Sequence, residues 1–198
     1  MRAMHDLIQQ SKRLYWGTSQ WTAQQITEAW AVAKSLNITP STMEQPEYNF
    51  FEREKVEGDF LLLYDLVGLG TTIWSPLASG VITGKYNKGI PEDSRLNLPG
   101  YEWLKKEWQT PAGQAKLLKV ERLAALAQST GIPIHHMALL WCLSNQNVST
   151  VILGASKLSQ LQDNLAVIKN RAKLAVDLKA EIERYYRTNQ MDQNVTSP

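Results

Sequence analysis

The sequence predicts an α/β protein in which helices cover a parallel β-sheet. Short apolar runs alternate with amphipathic stretches, in the order helix and then four strand–helix units, and this alternation is typical of parallel sheets. The 198 residues are 43% hydrophobic and 20% charged, which is a globular composition. A doubly wound sheet and a (β/α)₈ barrel both fit this order. A barrel requires about 250 residues, so length and periodicity alone favour a small open sheet.

Each element is predicted from its own local pattern. Thr22 and Gln25 form a capping box in front of apolar residues at helical spacing, and Gly68 and Gly131 are natural helix stops. A glycine- and proline-rich stretch after the third strand predicts a long connection of the functional or disordered kind. The predicted elements are a strand over residues 14–16, a helix over 22–36, a strand over 41–45, a helix over 53–67, a strand over 69–75, a connection over 76–111, helices over 116–128 and 134–143, a strand over 148–153, helices over 159–168 and 174–186, and a disordered tail over 187–198.

Composition and charge exclude several classes of function. The formal net charge is only +2, which gives no reason to expect a nucleic-acid partner. Cys142 is the single cysteine and lies in an apolar run, so we expect a buried, inert thiol. No secretory leader or membrane-length apolar run is visible, so the expected compartment is the cytoplasm. His135 and His136 are adjacent and should point apart on a helix, so no metal site is predicted.

Several motifs, in order and with regular spacing, resemble the aldo-keto reductase superfamily. The resemblance is strongest to the branch that contains the voltage-gated potassium channel β subunits. It runs from the first residue to about Ile168. The motifs are YWGTS at residues 15–19, EQPEYN at 44–49, REKVE at 53–57, WSPLASG at 74–80, GKY at 84–86, GIP at 89–91, SR at 94–95, GY at 100–101 and LGAS at 153–156.

This resemblance changes the expected fold. It implies a (β/α)₈ barrel of which residues 1–198 supply only the C-terminal four strand–helix units, a half barrel. The intact relative would reduce an aldehyde or ketone by hydride transfer from NADPH. The family's catalytic tyrosine, lysine, aspartate and histidine or asparagine belong to the missing first half. We therefore assign no catalytic residue, and expect that the chain alone does not turn over substrate.

The remaining half resembles the part of the family that binds NADP(H). Ser19 and Gln45 resemble residues that hydrogen-bond the nicotinamide carboxamide, and Trp74 resembles the aromatic residue that stacks on the ring. Lys85 and Arg95 resemble cationic contacts to the phosphates. The other expected contacts are Ser75, Pro76, Leu77 and Ala78 along the pyrophosphate, Gly154, Ser156 and Gln160 at an anion-binding strand–helix turn, Asp163 and Asn164 near the adenine, and Gln20 at the end of the first strand.

Two departures from the family pattern put tight cofactor retention in question. Gln20 stands where channel β subunits usually carry arginine, which removes one cation. Asp93 replaces a common aromatic residue and introduces an anion near the phosphates.

Two alternatives to a cofactor-binding reductase half stay open. The chain could be a regulatory subunit that docks on a membrane channel, as channel β subunits do. It could also be an inactive truncated product or the result of a misassigned start, which an upstream in-frame strand–helix pattern would reveal. A half barrel leaves two strand edges unpaired, so association of two copies is a further expectation.

Overall fold

The computed structural model describes residues 1–173 and 179–184. The expected helix over 174–186 therefore lies partly outside the described residues, and the expected tail over 187–198 lies wholly outside them. The chain divides into two compact units. Unit 1 contains Met1–Pro76 and Cys142–Leu153, and unit 2 contains Leu77–Trp141 and Gly154–Pro198.

Unit 1 contains a four-stranded sheet in which every neighbouring pair of strands is parallel. This confirms the predicted parallel sheet, and the spatial order of the strands is their order in the chain. β3 and β4 pair with an irregularity between Thr71 and Thr72. The strands are β1 (Gly17–Ser19), β2 (Met43–Gln45), β3 (Gly70–Ile73) and β4 (Val148–Val151).

The first strand begins later than predicted. A strand over residues 14–16 is wrong, because Leu14 and Tyr15 are 81% and 74% exposed and take no part in the sheet. Trp16 is buried, and its indole N–H donates to the Thr39 carbonyl 3.0 Å away. Pairing with β2 starts only at Gly17. The apolar side chains of Leu14 and Tyr15 therefore did not indicate where the strand lies.

The helices of unit 1 largely follow the sequence pattern. The predicted capping box is present, since the Thr22 hydroxyl accepts from the Gln25 N–H and the Gln25 amide oxygen accepts from the Thr22 N–H. The predicted helix over 53–67 is divided into a π-helical turn, Lys55–Asp59, and a short α-helix. Gly68 ends that helix with φ +66°. The α-helices are α1 (Arg2–Gln9), α2 (Ala23–Ser35) and α3 (Leu61–Val67). Ile26, Phe60, Leu63 and Leu69 form a buried cluster between α2 and α3.

Unit 2 is mainly helical and contains one helix that the sequence did not predict. α4 lies inside the expected connection, where Leu104 and Trp108 are buried one turn apart. α5 begins at Pro111, earlier than expected, because Thr110 caps it by accepting from the Gly113 N–H. The α-helices are α4 (Glu102–Gln109), α5 (Pro111–Thr130), α6 (Ile134–Leu143, which ends in unit 1) and α7 (Leu158–Ala166), with 3₁₀ turns at Ala78–Thr83, Arg95–Asn97 and Val167–Lys173.

The apolar face predicted for α7 is not the buried one. Leu161, Leu165 and Ile168 are all exposed, whereas Asn164 and Val167 are buried. Asp163, which is exposed, contacts the two histidines of α6. The apolar residues of this segment therefore did not indicate which side of the helix is buried. Among the described residues, no helix has the length and apolar character needed to cross a membrane.

Candidate functional site

The carboxyl ends of the first three strands bring the unit 1 site residues to one edge of the sheet. Ser19 and Gln45 are the last residues of β1 and β2, and Trp74 directly follows β3. The Ser19 hydroxyl donates to the Gln45 carbonyl at 3.0 Å. Trp74 is half-buried and forms an isolated parallel bridge with Glu47. Parallel strands all end on the same side, so this grouping follows from topology.

The segment after β2 is tied to the segment after β3 by main-chain hydrogen bonds. The Trp74 N–H donates to the Pro46 carbonyl at 3.1 Å, and the Tyr48 N–H donates to the Trp74 carbonyl at 3.3 Å. Pairing therefore continues for several residues beyond the end of β2. The position of Trp74 is fixed by its own backbone.

Asn49 is a buried anchor of this edge to which the sequence analysis gave no role. It is fully buried, and its amide nitrogen donates to the Ser75 carbonyl at 3.0 Å and to a Glu47 carboxylate oxygen at 3.2 Å. Its amide oxygen accepts from the N–H groups of Phe51 and Glu52. Asn49 thus closes its own turn and holds the backbone at Ser75. Asn49 is the last residue of the EQPEYN motif, so the motif included this position without indicating its role.

A buried carboxylate lies in the middle of the sheet. Glu44 of β2 is fully buried, accepts a short hydrogen bond from the Thr18 hydroxyl, and accepts from the Trp21 N–H at 3.0 Å. Buried carboxylates require such partners, because an unpaired one is costly to remove from water. Glu44 therefore links β2 to β1 through buried hydrogen bonds. The sequence analysis gave this residue no role.

A cation lies at the end of β1 although residue 20 is not arginine. Gln20 has a left-handed backbone, with φ +62°. The Lys55 ammonium group donates to the Gln20 side-chain oxygen at 2.6 Å and contacts its carbonyl at 3.3 Å. The charge that the sequence appeared to lose at residue 20 is therefore supplied to the same turn by Lys55.

The segment that follows β3 has an unusual backbone. Ser75, Ala78 and Ser79 have positive φ values of 55°, 45° and 56°, and none of them is glycine. Left-handed conformations cost non-glycine residues about 1–2 kcal/mol each. Such strain concentrates at ligand-binding segments. Pro76 and Ala78 are buried here, and Leu77 is half-buried.

Unit 2 carries the two cations predicted to contact phosphate, Lys85 and Arg95, and a third, Lys157, at the strand–helix turn. The Lys85 ammonium lies 4.9 Å from the centre of the Tyr86 ring, and the Arg95 guanidinium lies 5.8 Å from that of Tyr101. A Cβ added at Gly154 would lie 4.0 Å from the Arg95 guanidinium, so the glycine backbone is close to this cation. Lys157 is the third cation and directly precedes α7.

Asp93 does not stand as an isolated anion. Its carboxylate accepts from the Lys157 ammonium at 2.8 Å. This hydrogen bond lowers the pKa of Asp93, and its counterpart raises the pKa of Lys157. Both side chains are largely exposed, so the pair contributes little to folding. The departure noted in the sequence is thus locally neutralised.

Gln160 occupies the hydrogen-bond donors at the start of α7. Its side-chain oxygen accepts from the Ser156 N–H at 2.9 Å, the Ser156 hydroxyl at 3.1 Å and the Lys157 N–H at 3.3 Å. These donors and the positive end of the helix dipole suit an anion. Hydrogen bonds thus join Ser156 to Gln160 at this turn, and anion binding by Gly154, Ser156 and Gln160 stays a prediction.

The two histidines converge, contrary to the expectation that they point apart. His135 Nε2 lies 2.6 Å from one Asp163 carboxylate oxygen, and His136 Nε2 lies 3.4 Å from the other. Rotation about the side-chain bonds brings the ring centres to 4.5 Å. The Cα–Cβ bonds of adjacent helical residues point in different directions, but the imidazole rings at the ends of the side chains can still approach each other. Asp163 is thus held by α6, and Asn164 beside it is buried.

The buried tyrosine and cysteine are poorly suited to proton transfer. The Tyr48 hydroxyl donates to Glu57 at 2.6 Å and accepts from the Asn145 amide at 3.1 Å. Burial, followed by the Glu57 hydrogen bond, raises the pKa of Tyr48. Burial also raises the pKa of the Cys142 thiol, which confirms the expected buried cysteine.

Comparison with known proteins gives the family. A family model for the aldo/keto reductases matches residues 1–184. The chain belongs to the aldo/keto reductase family. A protein of Arabidopsis thaliana named as a probable voltage-gated potassium channel subunit beta is 49% identical over 169 residues, which cover 85% of this chain and 51% of that protein. The chain therefore spans about half the length of this relative. These findings confirm the predicted superfamily and its channel-β-like branch.

Proposed function

We propose that this chain supplies the NADP(H)-binding part of an aldo/keto reductase barrel that reduces aldehydes or ketones. The observation that carries the proposal is the grouping of Ser19, Gln45 and Trp74 at the carboxyl ends of neighbouring parallel strands. Ligands of parallel α/β folds bind at that edge. The family assignment supports a nicotinamide cofactor as that ligand.

The chemistry of the side chains fits a dinucleotide phosphate. In unit 1, Ser19 and Gln45 offer the hydroxyl and amide groups that would hydrogen-bond a carboxamide. The half-buried Trp74 indole would cover one face of an aromatic ring. In unit 2, Lys85 and Arg95 would contact phosphate groups. NADPH, when bound, supplies the hydride that adds to the carbonyl carbon.

The residues of this chain bind and orient, and proton donation is assigned elsewhere. Tyr48 is buried and its hydroxyl is committed to Glu57, so it is a poor acid for a carbonyl oxygen. We assign the proton donor and its lysine and aspartate partners to a first barrel half, and propose that the chain alone is inactive. A cytoplasmic location is part of the same proposal.

The four parallel strands correspond, in this proposal, to the second half of the barrel. Within the described residues, β1 and β4 each pair on one side only. Such edges favour pairing with further strands. The complementary half of the barrel, or a second copy of this chain, would satisfy them. Multi-angle light scattering of the purified chain tests the second possibility, and a monodisperse monomer would count against it.

Calorimetric titration with NADPH and with NADH tests the cofactor proposal. We expect saturable binding that is tighter for NADPH. Arg95→Ala should lower NADPH affinity about tenfold, which corresponds to about 1.4 kcal/mol, and should reduce the preference over NADH. Trp74→Ala should weaken both nucleotides. Lys34→Ala is the matched control, because Lys34 also lies over an aromatic ring, 5.1 Å from the centre of Trp30. Absence of saturable binding by a folded chain would overturn the proposal.

A second candidate function rests on the named relative. The 49% identity to a probable potassium channel β subunit favours a regulatory role on a membrane channel. Copurification of an identified potassium channel subunit with the tagged chain would support it. A chain that binds NADPH but recovers no channel subunit from cells that express one would favour the reductase role.

A further inference from the structure

A cluster of two histidines and one aspartate links α6 to α7 within unit 2. His135 Nε2 lies 2.6 Å from an Asp163 carboxylate oxygen. His136 Nε2 lies 3.4 Å from the second carboxylate oxygen and 2.8 Å from the Asp163 main-chain carbonyl oxygen. Two imidazole nitrogens, a carboxylate and a carbonyl oxygen thus surround one point.

We propose that His135, His136 and Asp163 bind a divalent transition-metal ion, with Zn²⁺ as the representative ion. Imidazole with carboxylate is a donor set of borderline hardness, which suits zinc, cobalt, nickel or copper better than magnesium or calcium. The argument uses only the contacts among these three side chains, and the metal titration is made without nucleotide because Asp163 is also an expected contact near the adenine.

The three candidate ligand atoms lie within 4.8 Å of one another, so the side chains must move by about 1–2 Å to accept an ion. Zinc binds imidazole nitrogen and carboxylate oxygen at about 2.0–2.2 Å, so tetrahedral donors lie roughly 3.3 Å apart. The 3.4 Å pair already has that spacing, and the 2.6 Å pair must open by less than about 1 Å. Each neutral imidazole binds the ion through the Nε2 lone pair as its Nδ1–H tautomer, so its proton moves from Nε2 to Nδ1 and no net proton is released, while the carboxylate contributes an oxygen lone pair.

Burial and exposure suit a site that loads from solvent. His136 is 4% exposed, whereas the Asp163 side chain is 55% exposed, so the ion can approach from the aspartate side. Neutral imidazole is the form that binds metals. The remaining coordination positions would be taken by water.

Asn170 is placed to orient the buried histidine from behind. Its side-chain nitrogen lies 2.8 Å from His136 Nδ1. Rotation of that amide by 180° would place its oxygen there, where it would accept the Nδ1–H of a metal-bound imidazole. Such outer contacts fix ring orientation, and their loss typically lowers metal affinity tenfold or more.

Cobalt titration of the full chain tests the site. We expect one equivalent of Co²⁺ to produce visible absorption bands that Zn²⁺ displaces. His135→Asn and Asp163→Asn should abolish the bands, and circular dichroism should show that both variants are folded. His5→Asn is the matched control, since the chain has three histidines and His5 contacts Thr39 instead. Unchanged bands in His135→Asn, or no bands in the parent, would overturn the proposal.

One further measurement distinguishes a metal site from a hydrogen-bonded pair of helices. Asn170→Leu should lower zinc affinity about tenfold through His136. Zinc affinity indifferent to Asn170 would show that His136 is not a ligand and would overturn the three-ligand site.

Discussion

In unit 1 the residues at the strand ends are fixed by buried hydrogen bonds, whereas in unit 2 the cations at the α7 turn are held by surface contacts. Asn49 and Glu44 are both fully buried and fully engaged. Lys157 and Asp93, in contrast, have side chains that are 61% and 72% exposed. One group is built into the core and the other lies on the surface.

This difference separates preorganisation from adaptation. The Asn49 amide holds the backbone at Ser75, and main-chain hydrogen bonds hold Trp74, before any ligand arrives, so little ordering entropy remains to be lost there. Exposed cations over aromatic rings retain freedom to move towards a phosphate. Substitutions in the first group should therefore mainly lower the free energy of unfolding. Substitutions in the second group should leave it unchanged and should affect, at most, the affinity for the cofactor.

The largest effect is expected for Asn49→Ala. Four hydrogen bonds of a fully buried side chain would be lost, and buried N–H and carbonyl groups would be left without partners. We expect a loss of about 2–4 kcal/mol in the free energy of unfolding, measured by urea denaturation. Asn97→Ala is the control and should cost less than about 1 kcal/mol, because Asn97 is exposed. Similar losses in the two variants would contradict the contrast between the groups.

A packing substitution in unit 2 should come next. A Cβ at Gly113 would lie 2.5 Å from the Glu107 carbonyl oxygen and 2.6 Å from Trp108 Cα, so the backbones of α4 and α5 must separate. We expect Gly113→Ala to cost about 2–3 kcal/mol. Gly131→Ala meets no neighbour within 4 Å and carries only the strain of φ +65°, about 1 kcal/mol. Thermal denaturation of the two variants compares the cost of steric overlap at Gly113 with that of backbone strain at Gly131. Equal melting temperatures would contradict the close approach of α4 and α5 at Gly113.

Lys85→Ala should change binding without changing stability. Its ammonium is exposed over Tyr86 and available to an anion. We expect about a fivefold loss of NADPH affinity, near 1 kcal/mol, that shrinks at high salt. Lys88→Ala, an exposed lysine three residues later in the same loop, should bind normally. A loss shared by both variants would indicate a general charge effect instead of a specific contact.

The smallest effect is expected at the Asp93–Lys157 pair. Asp93→Asn should leave the urea midpoint unchanged at pH 7, since both groups are exposed. Because the pKa of Asp93 is lowered in the folded protein, any stability that the pair contributes is fully present above the unfolded pKa of about 3.9. That stability is lost as the pH falls through the lower pKa of the folded state. The raised pKa of Lys157 implies loss only above about pH 10.5. A midpoint that shifts between pH 5 and 8 would contradict this assignment.

Local sequence signals predicted much of the secondary structure. The Thr22–Gln25 capping box and the bounds of α6 are confirmed, because each depends on residues within a few positions. α4 was missed because its neighbourhood is rich in glycine and proline. The buried positions of Leu104 and Trp108 are set by α5, which is a tertiary effect.

The sequence predicted which residues line the candidate site, but it did not predict the buried residues that hold them in place. Family motifs identified Ser19, Gln45 and Trp74, whose grouping the parallel sheet then explains. Full burial of Glu44, and the hold of Asn49 on Ser75, depend on segments that meet only in the fold. Convergence of the two histidines depends on side-chain rotation and on α7, neither of which sequence spacing encodes.

The register of the sheet also bears on how the chain reaches its structure. Gly17 pairs with Met43 and Met43 with Gly70, so these contacts join residues 26 and 27 positions apart. Thr71 pairs with Val148, 77 positions later. Closing the longer loop costs about 0.9 kcal/mol more in chain entropy, and distant contacts form slowly. During synthesis, β1 to β3 therefore emerge and can associate well before β4 exists, and the open side of β3 remains exposed until the inserted helices of unit 2 have been made.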